Sequence, residues 1–66
     1  MDKFIIQNDE GYVPDDEFTG DPTTDNLDWA LFFDSKKEAE QWIKNWPEYA
    51  GTNPVVLRYA DVARSV

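Results

Sequence analysis

Residues Trp29 to Trp46 read WALFFDSKKEAEQWIKNW, and this stretch decides the fold. Trp29-Ala30-Leu31-Phe32-Phe33 is a continuous apolar run, the pattern of a strand covered on both faces, or of one covered on one face and touching a partner on the other. Asp34-Ser35 breaks it. Ser35 followed three residues later by Glu38 is a capping-box signature, in which the hydroxyl accepts from the Glu38 amide and the glutamate reaches back. Ala39, Trp42, Ile43 and Trp46 then fall on one helix face. Glu40 stands four before Lys44 in the favourable order for an exposed pair. Pro47 stops the helix, because it lacks an amide hydrogen and disfavours α geometry at Trp46. About three turns do not persist alone in water, so a sheet is expected to hold Trp42 and Trp46 in a core.

Upstream, Lys3 to Gln7 reads as a first strand, Asn8 to Gly11 as a turn, and Tyr12-Val13 as a return strand that Pro14 ends or confines to an edge. Residues 14–28 carry two prolines, one glycine and six carboxylates and form a long loop, a length usually associated with function or mobility. Phe18 and Leu27 are its apolar pins. Downstream, residues 48–53 are turn-rich, and Pro54 to Ala60 reads as the last strand, with Val55, Leu57 and Tyr59 on one face. Asp61 to Val66 extends that strand or frays. The expected class is α+β in the order β-β-loop-β-α-β. A small antiparallel sheet of three to four strands carries one helix on one face, in a single domain over residues 1–66.

At residues 24–39 the chain resembles small α+β proteins of phage and bacterial genomes. These open with a hairpin, continue T-D-x-L-x-x-A-x-x-F-D-S-x-x-E-A, and close with a valine-rich strand. The matching positions are Thr24, Asp25, Leu27, Ala30, Phe33, Asp34, Ser35, Glu38 and Ala39, with Gly11-Tyr12 and Val55-Val56 in the same outline. The resemblance implies the fold and a phage or mobile-element source, and brings no activity with it. The longer acidic loop and the tryptophans depart from the outline.

The chain has no cysteine and no histidine, so disulfides, thiolate chemistry and the commonest general base are absent. Its three glycines are isolated at 11, 20 and 51, leaving no phosphate loop. The loop carboxylates lack the spacing of a calcium loop, and no metal or cofactor is expected. A carboxylate pair could do acid–base work only in a cleft that shifts one pKa, which a chain of 66 residues hardly has room for. We expect no enzyme. No apolar run is long enough to span a membrane, and no signal-peptide pattern opens the chain. The expected location is the cytoplasm, the host's if the chain is phage-encoded.

The formal net charge is −8, and it is lopsided. Residues 4–35 hold nine carboxylates and no lysine or arginine, while the remainder has five carboxylates against six basic residues. Such a field repels nucleic acid and anionic membrane and attracts basic protein surfaces. The expected function is a non-enzymatic, acidic protein-binding module. In its specific form it inhibits a host nucleic-acid-binding protein by presenting carboxylates where phosphates would lie. The candidate contact residues are Asp9, Glu10, Tyr12, Asp15, Asp16, Glu17, Phe18, Asp21, Asp25 and Asp28, with Trp29 and Tyr49 as further aromatic anchors. The alternative is a small structural or homo-oligomeric domain whose acids only confer solubility. Either a monomer or a homodimer fits.

Overall fold

The computed structural model describes residues 2–15 and 22–64. It is an α+β domain with a three-stranded antiparallel sheet in the order β2-β1-β3. β1 is Phe4–Asn8, β2 Gly11–Tyr12 and β3 Val55–Arg58. Among the described residues three helices accompany them: α1 Lys36–Asn45, α2 Pro47–Ala50 and α3 Tyr59–Arg64. A 3-10 turn covers Leu27–Trp29.

β1 is central. Gln7 faces Tyr12 and Asn8 faces Gly11 across the hairpin, while Phe4, Ile5, Ile6 and Gln7 face Arg58, Leu57, Val56 and Val55. Alternation sends Ile5 and Ile6 to opposite faces, yet both are fully buried. The sheet is therefore covered on both sides at its centre. On one face Ile6, Val13 and Ala39 form the core, with Phe4, Leu31, Phe33, Trp42, Ile43 and Val56 packed against them. The apolar face expected for α1 supplies Ala39, Trp42 and Ile43.

The run from Trp29 to Phe33 is not the regular strand the sequence suggests. Its first residue closes the 3-10 turn, whose cap is Asn26, accepting from the Asp28 amide at 3.0 Å. The rest is extended and makes two single bridges, Ala30 to Pro14 and Phe33 to Phe4. The Pro14 bridge is informative. Leu31 N donates to Val13 O and Asp15 N to Trp29 O, both at 2.9 Å. Pro14 and Ala30 thus form a non-hydrogen-bonded pair, the position where an antiparallel ladder needs no N–H from proline.

Ser35 caps α1, its hydroxyl accepting from Glu38 N at 3.1 Å. The reciprocal half of the box lands one residue earlier, on Asp34 N at 3.4 Å. Glu40 pairs with Lys36 at 3.9 Å, not with Lys44. Ser35→Ala is expected to cost about 1 kcal/mol, read as a lower urea midpoint with unchanged slope.

The chain beyond α1 differs from expectation in two places. The helix ends at Asn45, and Trp46 turns the chain with φ −132° and ψ 56°. Pro47 then opens α2 at its first position, where no amide is required. The stretch read as a turn-rich connector therefore begins with a short helix. The last strand stops at Arg58, and Tyr59 begins α3 where the sequence suggested continued strand or fraying. Arg58 closes this corner, with contacts to Asp2 at 3.5 Å and Asp61 at 3.3 Å.

Candidate functional site

The site begins with Asn8, the last residue of β1 and almost fully buried. Its Oδ1 accepts from Glu10 N at 2.9 Å and from Gly11 N at 3.1 Å, which fixes the hairpin turn. Its Nδ2 donates to Ala50 O at 2.9 Å, which fastens the turn to the end of α2. One amide thus ties together two segments distant in sequence. Gly51 makes this possible. Its φ is 81° and ψ −164°, and its backbone lies directly against the Asn8 side chain, a combination essentially reserved for glycine.

Between the segments tied by Asn8 lies a groove of about 850 Å³. Its less exposed members are Val13, Pro14, Leu31 and Trp42. Trp46, Glu48 and Tyr49 bring their exposed side chains from the α1–α2 corner, and Glu10 comes from the hairpin turn. Asp15 also lines it. Trp42 is held by an edge contact with Phe33, ring centroids 6.1 Å apart. Trp46 and Tyr49, three residues apart around the α2 start, meet at 6.1 Å and 61°. They remain 51% and 64% exposed, so each keeps a large aromatic surface toward solvent. Among the described residues no lysine or arginine lines the groove.

A second, smaller groove of about 400 Å³ carries Tyr12, Leu27, Asp25, Asp28 and Ala63 of α3. Tyr12 and Thr24 exchange a pair of backbone hydrogen bonds, of 2.8 and 3.0 Å. Thr24 Oγ1 accepts from Asn26 N at 3.1 Å, shaping the turn that carries the two aspartates. Because Tyr12 and Val13 are consecutive residues of extended chain, they project to opposite faces, and the two grooves lie on either side of this segment.

The structure consequently divides the candidate residues. Glu10 and Asp15 border the larger groove; Tyr12, Asp25 and Asp28 border the smaller. Asp9 borders neither: its carboxylate accepts from Asn53 Nδ2 at 3.0 Å and its amide donates to Thr52 O. It fastens the hairpin to the turn after α2. Asp16, Glu17, Phe18 and Asp21 lie outside the described residues. Trp29 is 44% exposed, as an aromatic anchor requires, and borders neither groove.

Sequence reasoning missed Trp46 and Glu48. Trp46 read as core along with Trp42, which does pack against the core, and Glu48 sits in the nearly neutral half. The available signal was Pro47 directly after Trp46, which breaks the helical face and frees the ring to leave it.

Charge pairing follows the same division. The ion pairs among the described residues join Lys36 to Glu40, Arg58 to Asp2 and Asp61, and Arg64 to Asp61. Each uses a carboxylate outside residues 4–35. Among the described residues, no three acidic, histidine or cysteine side chains gather to hold a metal ion. No helix among them is long and apolar enough to cross a membrane. Comparison with known proteins places the chain in no class: no family model, no curated protein and no solved structure matches it.

Proposed function

We propose that this domain is a non-enzymatic module that docks on a basic surface of another protein. Its specific form is an inhibitor of a host nucleic-acid-binding protein, in which carboxylates occupy the place of backbone phosphates. The observation that carries this reading is the larger groove, where Glu10, Asp15 and Glu48 accompany exposed aromatic rings and, among the described residues, no cation. Carboxylates steer a positive partner, raising the association rate in a salt-dependent way. Aromatic surface supplies the contact area that charge lacks. The phage outline resembled by residues 24–39 points to a bacterial host protein as the target.

The test has two stages. The immobilised domain is exposed to bacterial lysate at low salt, and the retained proteins are identified by mass spectrometry. Each is then assayed for nucleic-acid binding with and without the free domain. Competition for DNA or RNA that fades as salt rises supports the proposal. A salt-insensitive homodimer in sedimentation, with no competition by the domain, overturns it in favour of a structural module. With a partner in hand, the triple change Glu10→Gln, Asp15→Asn, Glu48→Gln is expected to weaken binding about tenfold at low salt, from about 0.5 kcal/mol per lost charge contact. Titration calorimetry reads this, and unchanged affinity would mean that the groove is not the contact.

A further inference from the structure

We infer that the larger groove is a receptor for an arginine side chain carried on an extended segment of the partner. The inference rests on the binding reading above and adds to it a residue type, a place and a geometry.

Trp46 and Tyr49 are neighbours whose planes meet at 61°, and both stand more than half exposed. They meet in an edge contact and both keep ring surface exposed to solvent, and the face of an exposed aromatic ring attracts cations. Glu48 lies between them in sequence and Glu10 comes from the hairpin turn, so carboxylates border the same groove. Four of the chain's six basic side chains have partners away from the groove, and the other two, Lys37 and Lys44, are exposed on α1 and do not line it. Lys3 sits 5.2 Å from the Phe32 ring centroid, Lys36 pairs with Glu40, and Arg58 and Arg64 pair with Asp61. No lysine or arginine lines the groove among the described residues, so a cation there is supplied by another molecule.

Arginine suits these surroundings better than lysine. Its guanidinium is planar and weakly hydrated, so it stacks on a ring while its edge donates two parallel hydrogen bonds to a carboxylate. Lysine presents a compact, strongly hydrated charge that gains less from an exposed indole. The groove is an open depression of about 850 Å³. It accommodates the arginine together with flanking residues of an extended segment, whose apolar groups meet Val13, Leu31 and Trp42.

The test is a two-dimensional NMR titration of the labelled domain with the peptide acetyl-Gly-Gly-Arg-Gly-Gly-amide. The lysine and citrulline peptides of the same length serve as comparisons, citrulline being the uncharged analogue of arginine. Saturable shifts are expected at the Trp46 indole N–H and the Gly51 amide with the arginine peptide. Binding of the lysine peptide is expected to be at least about threefold weaker, and the citrulline peptide should leave both signals unmoved. Trp46→Ala and Glu48→Gln should each weaken the arginine peptide by about threefold or more. Glu48 is exposed, so Glu48→Gln tests the site even if Trp46→Ala disturbs the fold. Glu40→Gln, at an exposed position of α1 that lines neither groove, should have no effect.

Equal responses to arginine and lysine with no loss in Glu48→Gln, or shifts confined to Tyr12, Asp25 and Asp28, would overturn the inference. Salt-dependent competition by the domain would in that case leave the binding-module reading in place. If competition is absent as well, both fall.

Discussion

Gly51→Ala is expected to destabilise the domain by about 3–5 kcal/mol. Two independent costs add. The backbone of Gly51, at φ 81° and ψ −164°, lies in a region where a side chain costs about 1–3 kcal/mol. In addition, a Cβ at this position would overlap Asn8 Nδ2 and stand 2.7 Å from Asn8 Cγ. An exposed amide would swing away cheaply, but Asn8 is buried and makes three hydrogen bonds, to Glu10 N, Gly11 N and Ala50 O. Displacing it leaves poorly solvated backbone groups without partners, at about 1–3 kcal/mol each. A domain of this length has on the order of 3–10 kcal/mol of stability in all, so the variant should lose roughly a third or more of it. Urea titration followed by tryptophan fluorescence measures it. A loss below about 1 kcal/mol would mean that the Asn8–Gly51 contact is not a structural tie. Asn8→Ala in the same background should restore part of the loss, because contacting residues do not add independently.

The second large effect is expected from Ile6→Ala, at about 2–5 kcal/mol. Ile5 and Ile6 are the largest side chains with no exposure among the described residues. Ile6 lies at the centre of the core, with Val13, Ala39 and the half-buried rings around it. Alanine leaves a void that so small a core refills poorly. The melting temperature should fall by about 8 °C or more, since each kcal/mol shifts it by about 4–8 °C at this size. Val55→Ala is the control. Val55 is in β3 but 48% exposed, and its loss should stay near about 0.5 kcal/mol.

The parts of the fold legible in the sequence are those fixed by local chemistry. The hairpin shows in its apolar strand and glycine turn. The start of α1 shows in Ser35 and Glu38, its face in Ala39, Trp42 and Ile43, and its end in Pro47. The rest depends on distant partners. The apolar run Trp29–Phe33 resembles a strand because apolarity reports burial and not hydrogen bonding. Only the positions of Pro14 and Phe4 turn it into an extended segment with isolated bridges. Trp46 extends the helical period on paper, but the helix ends one residue before it, so its phase no longer predicts burial. α3 lacked a capping signal, and Tyr59 belongs as readily to a strand as to a helix.

The candidate site was legible as a charge and not as a shape. The excess of carboxylates over residues 4–35 located Glu10 and Asp15, but nothing local showed that Tyr12, Asp25 and Asp28 project to the other side. Glu48 was invisible, because it reaches the groove through the corner at Trp46 and Pro47 and not through proximity in the chain.

The central strand has a consequence for biosynthesis. β1 leaves the ribosome before its neighbours, yet one of its two edges is completed only by Val55–Arg58. Until those residues emerge, Ile5 and Ile6 have no finished sheet to belong to, and the apolar side of α1 has nothing complete to settle on. Nascent chains halted before residue 55 should therefore be protease-sensitive and held by chaperones, with folding following release of the β3 segment as one concerted step.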